Sequence, residues 1–111
     1  MGLLLTAVGQ AYAQQRTIGD TAAGSVVGQT LTVEGTVAGV TVLRTGTTFL
    51  NFGAPYPNQT FTAVIFRSAA SGFPNPQQWE GKRVRVTGKV QLYRGKPEVI
   101  LNETSQLVAV P

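Results

Sequence analysis

The sequence predicts an all-β fold: a five-stranded Greek-key barrel carrying a short helical or irregular insert between its third and fourth strands. Three observations lead there. β-branched and aromatic residues gather in five runs separated by Gly-, Pro- and Asn-containing turns. The longest interruption falls between the third and fourth runs. With 111 residues and no cysteine, the chain is one domain whose core must come from apolar burial and not from disulfides.

Residues 2–13 read GLLLTAVGQAYA, a short apolar stretch that ends in Ala11-Tyr12-Ala13, the A-x-A pattern after which a signal peptidase cuts. Residues 1–13 are therefore expected to be a signal peptide and the mature chain to begin at Gln14, in the periplasm or outside the cell. Met1 and Gly2 supply no positive charge ahead of the apolar stretch, so a cytoplasmic protein is the alternative. Residues 14–28, QQRTIGDTAAGSVVG, are small and polar without sustained periodicity, which predicts a flexible arm or linker. The domain proper is expected over residues 29–111. No uninterrupted apolar run approaches the roughly 20 residues of a membrane-spanning helix.

The first strand spans residues 30–43, where Leu31, Val33 and Val37 alternate before the parity changes to Val40 and Val42 around Gly39. That change predicts a bend or bulge, and Gly35 and Gly39 inside a strand point to sharp curvature or close backbone approach. A short turn at Arg44-Thr45-Gly46 leads to the second strand, TTFLNF over residues 47–52, and GAPYPN leads on to the third, TFTAVIFR over residues 60–67. The connection over residues 68–80 carries several breakers and one possible helical turn from Pro76, a residue suited to a helix start. Residues 83–93 show the cleanest alternation, with Val84, Val86, Val90 and Leu92 on one face and Arg83, Arg85, Lys89 and Tyr93 on the other. After Arg94-Gly95-Lys96, the fifth strand opens with PEVIL over residues 97–101 and resumes over 106–110.

The order of these strands, with TVEGTV in the first, LNFG closing the second, FTAVIF in the third, GKRVRVTGKV in the fourth and YRGKPEVIL across the last turn, resembles the OB-fold nucleic-acid-binding domains of bacteria. The similarity covers roughly residues 29–110 and is greatest to small exported stand-alone members related to the anticodon-binding type. The resemblance implies a ligand face on the outer surface of strands two and three, flanked by the loops joining strands one to two and four to five. Domains of this fold also bind sugars and proteins.

Composition narrows the chemistry. The absence of cysteine and histidine removes thiolate nucleophiles, imidazole acid–base catalysis and Cys/His zinc sites, and the five acids are scattered singly. Asp20, Glu34, Glu80, Glu98 and Glu103 are expected on solvated faces or in surface ion pairs, with Glu34 facing the Arg83, Arg85 and Lys89 stripe. No catalytic site, metal or cofactor is expected. Nine Lys and Arg against five acids give a net charge of +4, which favours polyanionic partners. Single-strand recognition on such a surface combines aromatic platforms with cations that follow the backbone. A period of two sends Phe49 and Asn51 outward on the second strand and Val64 and Phe66 outward on the third, followed by Arg67. Arg44 falls in the first flanking loop, and Tyr93, Arg94 and Lys96 border the second. These residues are the candidate contacts for single-stranded nucleic acid; the alternative partners are a protein or an anionic glycan. Equally, the outward aromatics could be covered by the arm or by Phe73 and Trp79 of the long connection, since strands buried on both faces read as near-continuous apolar runs.

Overall fold

The computed structural model describes residues 16–111, so the expected signal peptide lies outside the described residues. The chain folds as a small, mostly β-sheet domain punctuated by 3-10 turns. Among the described residues eight strands form: β1 (Thr17–Gly19), β2 (Thr30–Val42), β3 (Thr48–Phe52), β4 (Phe61–Ile65), β5 (Arg83–Lys89), β6 (Gln91–Tyr93), β7 (Lys96–Ile100) and β8 (Leu107–Ala109). Hydrogen-bonded neighbours run β6-β7-β4-β3-β2-β5-β8, with β1 added to β2. Among the described residues the ladder is an open path and does not close a ring.

The strand count exceeds the expected five for local reasons. The fourth expected strand breaks at Val90, which is fully buried and exchanges backbone bonds with the chain before β2: Gly28 N–H donates to its carbonyl and its own N–H donates to Gln29 O. Strand four thereby leaves the β2 ladder as β5 and joins the β7 ladder as β6. The fifth breaks at a 3-10 turn, Thr104–Gln106, before β8 pairs with β5.

β1 comes from the segment expected to be a flexible arm. Its described part is docked instead: β1 runs parallel to β2, and the 3-10 turn Asp20–Ser25 places Ala23 and the following Val26 in the core. Small side chains make this possible. Gly35 of β2 has no room for a Cβ, which would lie 2.8 Å from Asp20 Oδ1 and 2.9 Å from the Phe52 ring, so the close approach read from the sequence is the docking of this turn. The parity change in β2 is a bulge, seen as a register shift between Val37 and Gly39.

The core gathers one face of the longer strands: Leu31, Val33 and Val37 of β2, Leu50 and Phe52 of β3, Phe61, Ala63 and Ile65 of β4, Val84 and Val86 of β5, and Val99 of β7. Phe52 and Phe61 stand opposite one another in the β3–β4 ladder and meet edge to face, their centroids 5.1 Å apart. The insert between β4 and β5 holds two 3-10 turns, Arg67–Gly72 and Pro76–Trp79. From it Phe73 is buried in the core, while Trp79 packs against the core half-buried with the Lys82 ammonium 5.5 Å from its ring centre. Neither covers the opposite face of β3. Among the described residues no helix is long and apolar enough to cross a membrane.

Candidate functional site

The side of β3, β4 and β7 turned away from the core carries a polar row. Register sets Asn51 opposite Thr62, Thr62 opposite Glu98, and Glu98 opposite Gln91, so four neighbouring strands each contribute one polar side chain to the same line. Asn51, Thr62 and Glu98 are only 2%, 6% and 7% exposed. Two loops rise beside them, residues 53–60 between β3 and β4 and the β6–β7 hairpin. Lys96 ties these walls together, its Nζ donating to Pro57 O at 2.8 Å and Gln59 O at 3.1 Å.

The result is a groove of about 590 Å³ with Asn51, Thr62 and Glu98 of that row in its floor. Phe49, two residues before Asn51 on β3, lines it half-buried, and Tyr56 and Tyr93 stand at its sides with most of their surface exposed. Arg94 lies at the mouth, its guanidinium carbon 5.2 Å from the Tyr93 ring centre. Asn51 Nδ2 donates to Thr41 Oγ1 at 3.3 Å, and Gln91 Nε2 donates to Glu98 Oε2 at 3.0 Å. The Gln59 carboxamide oxygen is buried and accepts no hydrogen bond. Flat aromatic faces, an exposed arginine, a half-buried lysine and buried acceptors in one cleft can bind a planar, polar, anionic ligand; among the described residues no group of three or more His, Cys, Asp or Glu could hold a metal.

Five of the eight residues picked from the sequence meet here: Phe49, Asn51, Tyr93, Arg94 and Lys96. Three do not. Arg44 is exposed in the β2–β3 turn, and the stem of Arg67 lies over Gly46 of that turn, where a Cβ would be 3.0 Å from Arg67 Cγ. Phe66 is exposed outside the groove, because β4 ends at Ile65 and Phe66 already caps the 3-10 turn. Val64 faces away from the core, as its parity requires, yet is only 2% exposed; it lies two residues from Thr62, in the neighbouring row that pairs it with Phe49 and Ile100.

The expectation that every acid is solvated or surface-paired fails at Glu98. β7 lies between β4 and β6, so its outward side chains meet neighbours on both sides and loops above, and Glu98 is buried. Extending the period-of-two argument from Asn51 to the fifth strand would have found it. Tyr56 and Gln59 sit in a loop without periodicity and gave no signal. Glu34 takes both arginines of its stripe, accepting from Arg83 Nε and Arg85 Nε at 2.8 Å each.

No protein-family model matches this chain, and no curated protein matches it. Among solved structures, the fold matches part of a protein assigned as an aspartyl-tRNA synthetase from Leishmania major Friedlin, with a TM-score of 0.58 at 11% identity. The match covers 87% of this chain and 21% of that one, so this chain spans about a fifth of the longer protein. What the two share is the path of the backbone.

Proposed function

We propose that this chain is a non-catalytic OB-type barrel that binds single-stranded nucleic acid in the groove over β3, β4 and β7. The barrel reading rests on chain continuity: β5 and β6 are separated by Val90 alone, and together they span from the β2 ladder to the β7 ladder. The binding reading is carried by one observation, the convergence of Phe49, Tyr56 and Tyr93 with Arg94 and Lys96 in a single groove. Aromatic faces stack on bases of any sequence, and neighbouring cations neutralise the phosphates between them. The resemblance to anticodon-binding domains and the backbone likeness to part of an aspartyl-tRNA synthetase support the same ligand class.

A fluorescence anisotropy titration of a labelled dT12 oligonucleotide between 50 and 300 mM salt tests it. Affinity should fall with salt, by a logarithmic slope of about 0.7 per phosphate contacted. Phe49→Ala should cost about 1–3 kcal/mol at every salt concentration, because stacking is lost and not charge. Heparin binding with an unchanged Phe49→Ala affinity would reassign the groove to an anionic glycan, and tight binding without a salt slope would exclude a polyanion altogether.

A further inference from the structure

We propose that the floor of the groove is a subsite for one unpaired guanine base, whose Watson–Crick edge meets Glu98 with Gln59 beside it. The inference rests on the nucleic-acid reading above and sharpens it. Glu98 is buried at 7% exposure, and among the described residues no cation lies within ion-pair distance of it; Gln91 is its one hydrogen-bond donor. Gln59 is 9% exposed, and its carboxamide oxygen has no donor at all. Both residues line the groove. Buried acceptors without donors are uncommon in folded proteins, and here one of them, Gln59 Oε1, borders the same cavity as a buried carboxylate, Glu98, that has Gln91 as its one donor.

The chemistry of the missing partner follows from the bases. A carboxylate takes two parallel N–H donors side by side. Guanine presents that pair, its ring N1–H next to the exocyclic 2-amino group. Uracil and thymine present one N–H between two carbonyl oxygens, which a carboxylate repels. Adenine and cytosine present an amino group next to an acceptor nitrogen, so one carboxylate oxygen would face a lone pair. The rest of the groove suits the remainder of the nucleotide: Phe49 offers a stacking face on the same side of β3 as Asn51, Arg94 stands at the mouth for phosphate, and about 590 Å³ is within the range of small-ligand sites.

The test compares nonamers that carry deoxyguanosine, deoxyinosine or thymidine between flanks of four thymidines, titrated by anisotropy against the intact protein. Inosine differs from guanosine only by the absence of the 2-amino group. The guanosine nonamer should bind about tenfold tighter than the inosine one, and Glu98→Gln should bring that ratio near one, with circular dichroism confirming the fold of the variant. Gln59→Ala should reduce the ratio without abolishing it. Guanosine and inosine within twofold of each other on the unmodified protein would overturn the subsite, while salt-dependent binding of the thymidine nonamer would leave the wider reading intact. Failure of every nonamer at 50 mM salt would overturn both. An arginine side chain offers the same paired donors, so a short arginine-containing peptide that binds tighter than the guanosine nonamer would reassign the floor to a protein partner.

Discussion

Arg94 is the residue at which the proposed function and stability pull apart. The β6–β7 hairpin pairs Tyr93 with Lys96, leaving a two-residue turn in which Arg94 has φ 51° and Gly95 φ 79°. Both values are left-handed, as a type I′ turn requires, and a side-chain-bearing residue other than Asn or Asp pays about 1 kcal/mol to sit there. The same geometry holds the guanidinium against Tyr93 at the mouth of the groove. Arg94→Asn should therefore raise the melting temperature, since Asn-Gly is the preferred pair for this turn, and should weaken oligonucleotide binding with a shallower salt slope. Thermal unfolding and anisotropy on one preparation measure both; a variant that loses stability would show that the turn is held by contacts to the arginine and not merely tolerated for it.

At the scale of elements, the gap between β5 and β7 is where the ladder is replaced by a side chain. Gln106 spans it: Nε2 donates to Thr87 O at 3.0 Å and Ile100 O at 3.1 Å, and Oε1 accepts from Asn102 N–H and Glu103 N–H. Gly88 lets the strands come close, since a Cβ there would lie 2.5 Å from Val99 Cγ1. Gln106→Ala leaves two carbonyls and two amides without partners and should cost about 1–3 kcal/mol in urea unfolding, while Gln106→Glu, which lacks the Nε2 donors, should recover only part of it. Stability unchanged in both variants would mean that water satisfies these groups. Nothing in the sequence marked this clasp, for a glutamine after a turn has no pattern of its own. The strands themselves were legible because alternation in Leu31, Val33 and Val37 and in Val84 and Val86 reports directly which face is buried. Their interruption at Val90 was not, because Val90 continues the alternation and only its backbone bonds to Gly28 and Gln29 turn the chain. The groove was half legible for the same reason: Phe49 and Asn51 follow from parity, whereas Tyr56 and Gln59 depend on how an irregular loop folds back.

For the molecule as a whole, charge sets the acid limit of stability. Only five acids balance nine Lys and Arg, so every proton taken up on acidification adds to a positive excess. Glu34 sits between two arginines: its hydrogen bonds from Arg85 and then Arg83 hold its carboxyl below the ordinary value of 4.5. A folded-state value below the unfolded one means that the unfolded chain takes up this proton first as pH falls. The contribution of Glu34 is thus complete above pH 4.5 and disappears as the pH drops through that value and on to the lower folded one. Beyond that point Arg83 and Arg85, neighbours on one face of β5, are left without the acid on β2 that pairs with both. The melting temperature should stay level from pH 7 to about pH 5 and then fall. Glu34→Gln should start lower at neutral pH and converge on the parent curve in acid, and the gap at pH 7 should narrow in 1 M salt because the pair is partly exposed. Parallel curves for parent and variant, with a constant gap at every pH, would show that Glu34 contributes through packing on the β2–β5 ladder and that other carboxyls carry the acid sensitivity.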